Sequence, residues 1–215
     1  MIKNYFFTSK AIFALLCAIC ASLNFASAQI DLSHLQKQHA IELSPVTPGV
    51  RYLYETPVSR KSTFEFTGGM DASLIFAYSK SSVKINEERI EEKERRFQLY
   101  LTPNIGLAYK FYYNMDKRVE AGKNVDNNAG NYFGLRMING LEGWTTEKVK
   151  TEAYKMERQG FSKNYIGFAS AVWGMNRNLG KNFVFNFEVG PGNVFGEDRE
   201  SEFSLRLNTG FKKVF

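Results

Sequence analysis

After about residue 41, apolar and polar residues alternate with a period of two along most of the chain. The C-terminal segment is the clearest case. Phe203, Leu205, Leu207, Thr209, Phe211, Lys213 and Phe215 fall on one side of an extended chain, and Ser204, Arg206, Asn208, Gly210, Lys212 and Val214 on the other. Successive side chains of a strand point to opposite faces, so this segment has one apolar and one polar face. Phe183, Phe185, Phe187 and Val189 alternate in the same way with Val184, Asn186, Glu188 and Gly190. Residues 97–113 and 63–79 predict two further long strands, and 131–144 and 161–177 two weaker ones. The first strand, 41–58, switches face near Pro45 and Pro48, which predicts a bulge or a tight turn there.

The length of these patterns narrows the class. A strand of a water-soluble domain has about 5–6 residues, whereas a tilted strand needs about 9–11 to cross a bilayer. Several patterns here run longer than that. The connections at 59–62 and 179–182 are tight, while 80–94 and 145–160 are long and charged. Short turns on one side and long loops on the other are typical of outer-membrane barrels. Seven strands are plain. The even count of a bacterial barrel calls for an eighth, near 39–46, with Thr47-Pro48-Gly49-Val50 as its turn. The expected fold is all-β, a single antiparallel up-and-down transmembrane barrel of about eight strands over 41–215, after a lead-in at 29–40. The dense run INEERIEEKERR (85–96) reads as a solvated extracellular loop, with a short helix at its tip as the alternative.

The first 28 residues stand apart. Lys3 and Lys10, an apolar run and the small-residue exit Ala26-Ser27-Ala28 predict a secretory signal peptide cleaved after Ala28. Both cysteines, Cys17 and Cys20, fall inside it, so the mature chain is expected to have no disulfide, thiol nucleophile or thiolate metal site. The net charge of +6 is a mild excess with both signs interspersed, and it gives no reason to expect a nucleic-acid partner. The 19 Phe and 11 Tyr suit a chain that shows Phe to lipid and Tyr to the interface. Tyr109, Tyr112, Tyr113, Tyr132, Trp144 and Trp173 are the expected interfacial aromatics.

Catalytic candidates are few. The two histidines, His34 and His39, lie in the lead-in, so the barrel body offers no His as a general base. Gly190-Pro191-Gly192 lacks the Gly-Lys-Ser/Thr of a phosphate loop and reads instead as a bend or close approach in a strand. No enzyme, cofactor or metal is expected. The inward face does hold charge: Glu65, Asp71, Lys110, Arg136, Glu188, Arg206 and Lys212, joined by Arg51 and Glu55 if the register after Val50 holds. The signs nearly balance, which favours a packed ion-pair network over a selective pore.

Three stretches carry a resemblance. YKFYYNMDKRVEAGKNVDNNAGNYFGLRM (109–137), WGMNRNLGKNFVFNFEVGPG (173–192) and the terminal LNTGFKKVF together resemble a family of uncharacterised small outer-membrane barrels of Bacteroidota. The matching positions in the first are Tyr112, Tyr113 and Asn114, then Arg118, Gly122, Lys123, Asn127 and Asn128. In the second they are Gly174, Arg177, Gly180, Lys181 and 185–188. Asn176 stands where the pattern has a basic residue, and the C-terminus is more basic than usual. The resemblance implies an outer-membrane location, outer-membrane lipid and the barrel-assembly machinery as partners, and Phe215 as the assembly signal. It implies no known activity. The expected role is structural or surface-binding, with an unidentified extracellular ligand. The alternatives are a small porin-like channel and a periplasmic lipocalin-like binder of an apolar ligand. The turn around Arg118 and Lys123 is a candidate periplasmic docking site.

Overall fold

The computed structural model describes residues 34–215 except 86–87, 152–154, 163–165 and 197–198, and leaves the side chains at 81–85, 88–92, 162 and 199–200 undescribed. The leader at 1–28 and the start of the lead-in lie outside the described residues. Ten strands follow: β1 (Gln38–Ser44), β2 (Gly49–Ser59), β3 (Ser62–Ile85), β4 (Glu88–Phe111), β5 (Asn131–Gly140), β6 (Gly143–Lys150), β7 (Lys155–Ser162), β8 (Ile166–Asn178), β9 (Phe183–Gly196) and β10 (Arg199–Val214). Eight of them form a closed antiparallel barrel in the order β3-β2-β1-β10-β9-β8-β5-β4, with β4 returning to β3. The all-β up-and-down barrel legible in the alternation is therefore the fold. The β6–β7 hairpin is added outside the ring. It pairs with the far half of β4, Arg95↔Lys150 to Leu101↔Trp144, whose near half pairs with β5.

The eighth strand is β1. The face switch at the two prolines is a tight turn at 45–48, two residues earlier than expected. It forms there because Ser44 still pairs with Gly49, and its hydroxyl lies 3.0 Å from Thr47 Oγ1. The weak strand expected over 131–144 is broken in two. Pro103 on β4 has no N–H to donate, and the β4 ladder changes partner at that point, from β5 up to Asn104 to β6 from Leu101 onward. The strand expected over 161–177 likewise belongs to two elements, β7 and β8.

The long charged segments are strand rather than loop, a second correction. β3 and β4 stay in register from Ser62↔Phe111 to Ile85↔Glu88, so most of 85–96 belongs to β4 and not to a loop or a tip helix. Within 145–160, residues 145–150 belong to β6 and 155–160 to β7, where Lys148 lies 3.0 Å from Glu157 and Glu147 stands opposite Arg158. Cross-strand charge pairs of this kind stabilise strands that have no apolar face to bury. Together β3, β4, β6 and β7 form a four-stranded sheet continuing past the rim at one end, here the hairpin end.

The other, turn end carries the tight turns at 60–61 and 179–182 and a longer connection at 112–130. That connection holds a short helix, α1 (Met115–Glu120), and a 3-10 turn (Asp126–Asn128). Gly122 closes α1 at φ +62°, a left-handed conformation that favours glycine, with its N–H donated to Val119 O. Gly190 answers to a close approach: a Cβ there would run into the Ala171 carbonyl of β8.

The distribution of polarity is inverted relative to a water-soluble domain. Outward residues such as Ile41, Leu43, Phe133, Leu135, Leu205, Leu207 and Phe211 are exposed, whereas Glu55, Glu65, Lys110 and Glu188 inside are at most 1% exposed. Two small apolar clusters accompany the charges: Leu35, Tyr112, Met115 and Tyr132, and Ala40, Leu53, Val184 and Val214.

Candidate functional site: the charged interior

Every second residue of each barrel strand points inward, and seven of the eight strands place a charge there. β1 contributes Glu42, β2 Arg51 and Glu55, β3 Glu65 and Asp71, β4 Lys110, β5 Arg136, β9 Glu188, and β10 Arg206 and Lys212. β8 supplies Asn176 instead, 1% exposed.

The ten charges form one connected chain of ion pairs. Asp71 meets Arg51 at 2.5 Å, and Arg51 meets Glu42 at 3.3 Å. Lys212 bridges Glu42 (3.9 Å) and Glu65 (3.5 Å). Glu65 is the hub: it also accepts from Lys110 and, at 2.7 Å, from Arg136. Lys110 continues to Glu55 at 3.3 Å, and Arg136 continues to Glu188 at 2.7 Å. Arg206 closes the series on Glu188 at 3.2 Å. Five acids face five bases, so the interior carries no net charge.

Neutral groups add further hydrogen bonds. Glu55 accepts from Gln38 (2.9 Å), Thr63 (2.7 Å) and Tyr112 (2.8 Å). Tyr132 donates to Glu188 (2.9 Å) and accepts from Asn186, which also donates to Asn176 Oδ1, each at 2.9 Å. The Lys110 ammonium stands 5.1 Å over the Tyr132 ring. Buried charges cost several kcal/mol each unless they are paired and hydrogen-bonded, and the central ones here are.

Every charge named from the sequence is brought into this network. Asp71 sits at its edge, with a side chain 30% exposed. Tyr112 and Tyr132 are placed otherwise than expected. Both are fully buried inside and hydrogen-bonded to network carboxylates, so they are not interfacial aromatics. Tyr113 and Trp173 do face outward, the indole donating to the phenol at 2.9 Å. Glu42, Asn176, Asn186 and Asn208 were missed. For Glu42 the signal was present in the alternation Ile41-Glu42-Leu43, hidden by the prolines that follow.

The residues of the family resemblance build the turn-end connection. Asn114 Oδ1 accepts the Asn131 N–H at 2.7 Å, and Arg118 donates to Asn124 O at 2.8 Å. The Lys123 N–H reaches Arg118 O at 2.8 Å. Asn128, buried at φ +55°, accepts the Gln36 N–H (2.7 Å) and donates to Gln36 O (2.9 Å). Its amide thus ties the lead-in to the barrel as a neighbouring strand would, and Leu35 packs beside Tyr112. Asn128→Ala is expected to destabilise the fold by about 2 kcal/mol, the loss of two partly buried hydrogen bonds. Chemical unfolding would show it, together with earlier proteolysis of the lead-in. At the rim Lys61 hydrogen-bonds Asp116 at 2.8 Å and holds that carboxyl below its ordinary range. The Phe215 N–H donates to His39 O at 3.0 Å, seating the last residue beside β1.

The geometry defines a closed antiparallel β-barrel with a charge-neutral, hydrogen-bonded interior and an apolar exterior. No family model, no curated protein and no solved structure matches this chain. Among the described residues no group of His, Cys, Asp and Glu side chains has the arrangement of a metal site.

Proposed function

We propose that this chain is a non-enzymatic outer-membrane barrel in which the barrel is an anchor and the hairpin-end sheet is the working part. The carrying observation is the apolar exterior around an interior packed with paired charges. A lipid surround favours apolar side chains outside and closes every strand edge into a ring. A lipocalin-like binder would need the reverse, an apolar interior to hold its ligand. A porin-like channel would need an open lumen, and here ion pairs link strands up to three places apart around the ring, Lys212 of β10 lying 3.5 Å from Glu65 of β3. On this reading the segment 1–28 is the exported leader, Phe215 is read by the barrel-assembly machinery, and the chain belongs with the small Bacteroidota barrels it resembles.

Cell fractionation with a gel-shift assay tests the location. The protein is expected in the outer membrane, migrating differently before and after boiling. Recovery as a soluble periplasmic protein would overturn the proposal. In planar bilayers the folded protein is expected to give no steady unitary conductance, and a stable conducting level would return the channel reading.

A further inference from the structure

The outward face of the hairpin-end sheet changes chemistry row by row. Unbroken register across four adjacent strands defines the rows. Ala72, Leu101, Trp144 and Phe161 form an apolar row. Leu74 and Leu99, with Thr146 and Gln159, form the next. Phe76 and Phe97 follow beside Lys148 and Glu157. One row further lie Tyr78, Arg95, Lys150 and Lys155. Rows are roughly 7 Å apart along the strand and strands about 4.8 Å apart across it. Three cations thus stand side by side within about 10 Å, one step beyond the exposed Phe76 and the half-buried Phe97.

We propose that Arg95, Lys150 and Lys155 bind the phosphates of a membrane lipid headgroup at the outer surface. The inference rests on the outer-membrane reading above and assigns that surface a ligand. All three side chains are exposed. Among the described residues the neighbouring acids are engaged: Glu157 with Lys148 at 3.0 Å and with Gln159 at 3.2 Å, and Glu94 with Arg96 at 2.9 Å. Three exposed cations side by side in one row form an anion site. Its placement selects the anion. A cleft of about 450 Å³ here is lined by Phe76 and Phe97 together with Arg95, Lys150 and Lys155. Acyl chains fit against Leu74, Leu99 and the two phenylalanines while phosphates meet the cations. Tyr78 adds a hydroxyl on an amphipathic ring, suited to the same interface. A soluble polyanion would use the cations and leave the apolar rows beside them uncovered.

The test uses the full barrel purified from membranes in dodecyl maltoside, with binding read by native mass spectrometry and thermophoresis. The probes are diphosphorylated lipid A, the same lipid with its phosphates removed, and inorganic phosphate. Each basic residue near an anionic surface contributes enough that R95Q/K150Q/K155Q is expected to weaken phosphorylated lipid A binding on the order of a hundredfold. The dephosphorylated lipid is expected to bind both proteins equally weakly. K117Q/K123Q, at the opposite end, is expected to bind as the unaltered protein does. Unchanged affinity in the triple variant, equal loss in K117Q/K123Q, or displacement by equimolar inorganic phosphate would each overturn the assignment. The gel shift on boiling is read on every sample: its absence from the unaltered protein defeats the membrane reading itself, and its presence with no lipid preference defeats only this inference.

Discussion

Glu65→Ala is expected to destabilise the folded barrel by about 3–5 kcal/mol, the cost of leaving buried charges without their partner. Glu65 is fully buried and touches three cations from three strands: Lys110 on β4, Arg136 on β5 and Lys212 on β10. After truncation Lys110 keeps Glu55 at 3.3 Å and Arg136 keeps Glu188 at 2.7 Å. Lys212 keeps only Glu42, at 3.9 Å. Most of the penalty therefore falls on Lys212, and Glu65→Ala combined with Lys212→Met is expected to recover a good part of it. Urea unfolding in lipid vesicles, followed by Trp144 and Trp173 fluorescence and by the gel shift, reads both values. A loss below about 1 kcal/mol, the scale of an exposed ion pair, would mean that the interior is wet enough to screen its charges.

The second large effect lies on the other face. Leu207→Arg is expected to cost about 2–4 kcal/mol in a bilayer, the depth-dependent penalty for a cation on a lipid-facing strand. Leu207 lies outward on β10, between Leu205 and Thr209, and is 46% exposed. An arginine on a half-exposed strand position in water would change stability by about 0.5 kcal/mol or less. The same substitution thus separates a surface bathed in lipid from one bathed in water. Equilibrium unfolding from vesicles gives the number, and a near-neutral result would remove the lipid surround.

The barrel was legible because one physical rule writes it into the sequence: apolar outside, polar inside, period two. On β10 that rule separated Leu205 and Leu207 from Arg206 and Asn208, and the structure places them on opposite sides of the wall. The same parity put Glu65, Lys110, Arg136 and Glu188 on one surface. What parity lacks is height and pairing. It could not say that Glu65 would be the hub, because that depends on register across strands more than forty residues apart.

The rule also fails where neither face is apolar. β7 and the far arm of β4 carry charge on both sides and read as loop. Tyr112 and Tyr132 misled for a related reason. A tyrosine at a strand end fits an interface equally well from either side of the wall, and here hydrogen bonds to Glu55 and Glu188 draw both inward. Strand β1 is only seven residues long and ends at a proline turn, so its alternation had little room to show.

On the proposed reading, one face of each barrel strand meets lipid and the other meets charge. Cys17 and Cys20, the two cysteines of the sequence, both precede Ala28, so a chain lacking 1–28 accepts single reporter cysteines. Placed in turn at 205, 206, 207 and 208, labelled with a fluorophore and folded into vesicles containing doxyl-labelled phospholipid, they sample both faces of β10. Strong quenching at 205 and 207 with little at 206 and 208 is the expected result. Equal quenching at all four sites, or none at any, would contradict a barrel that wears its apolar face toward lipid.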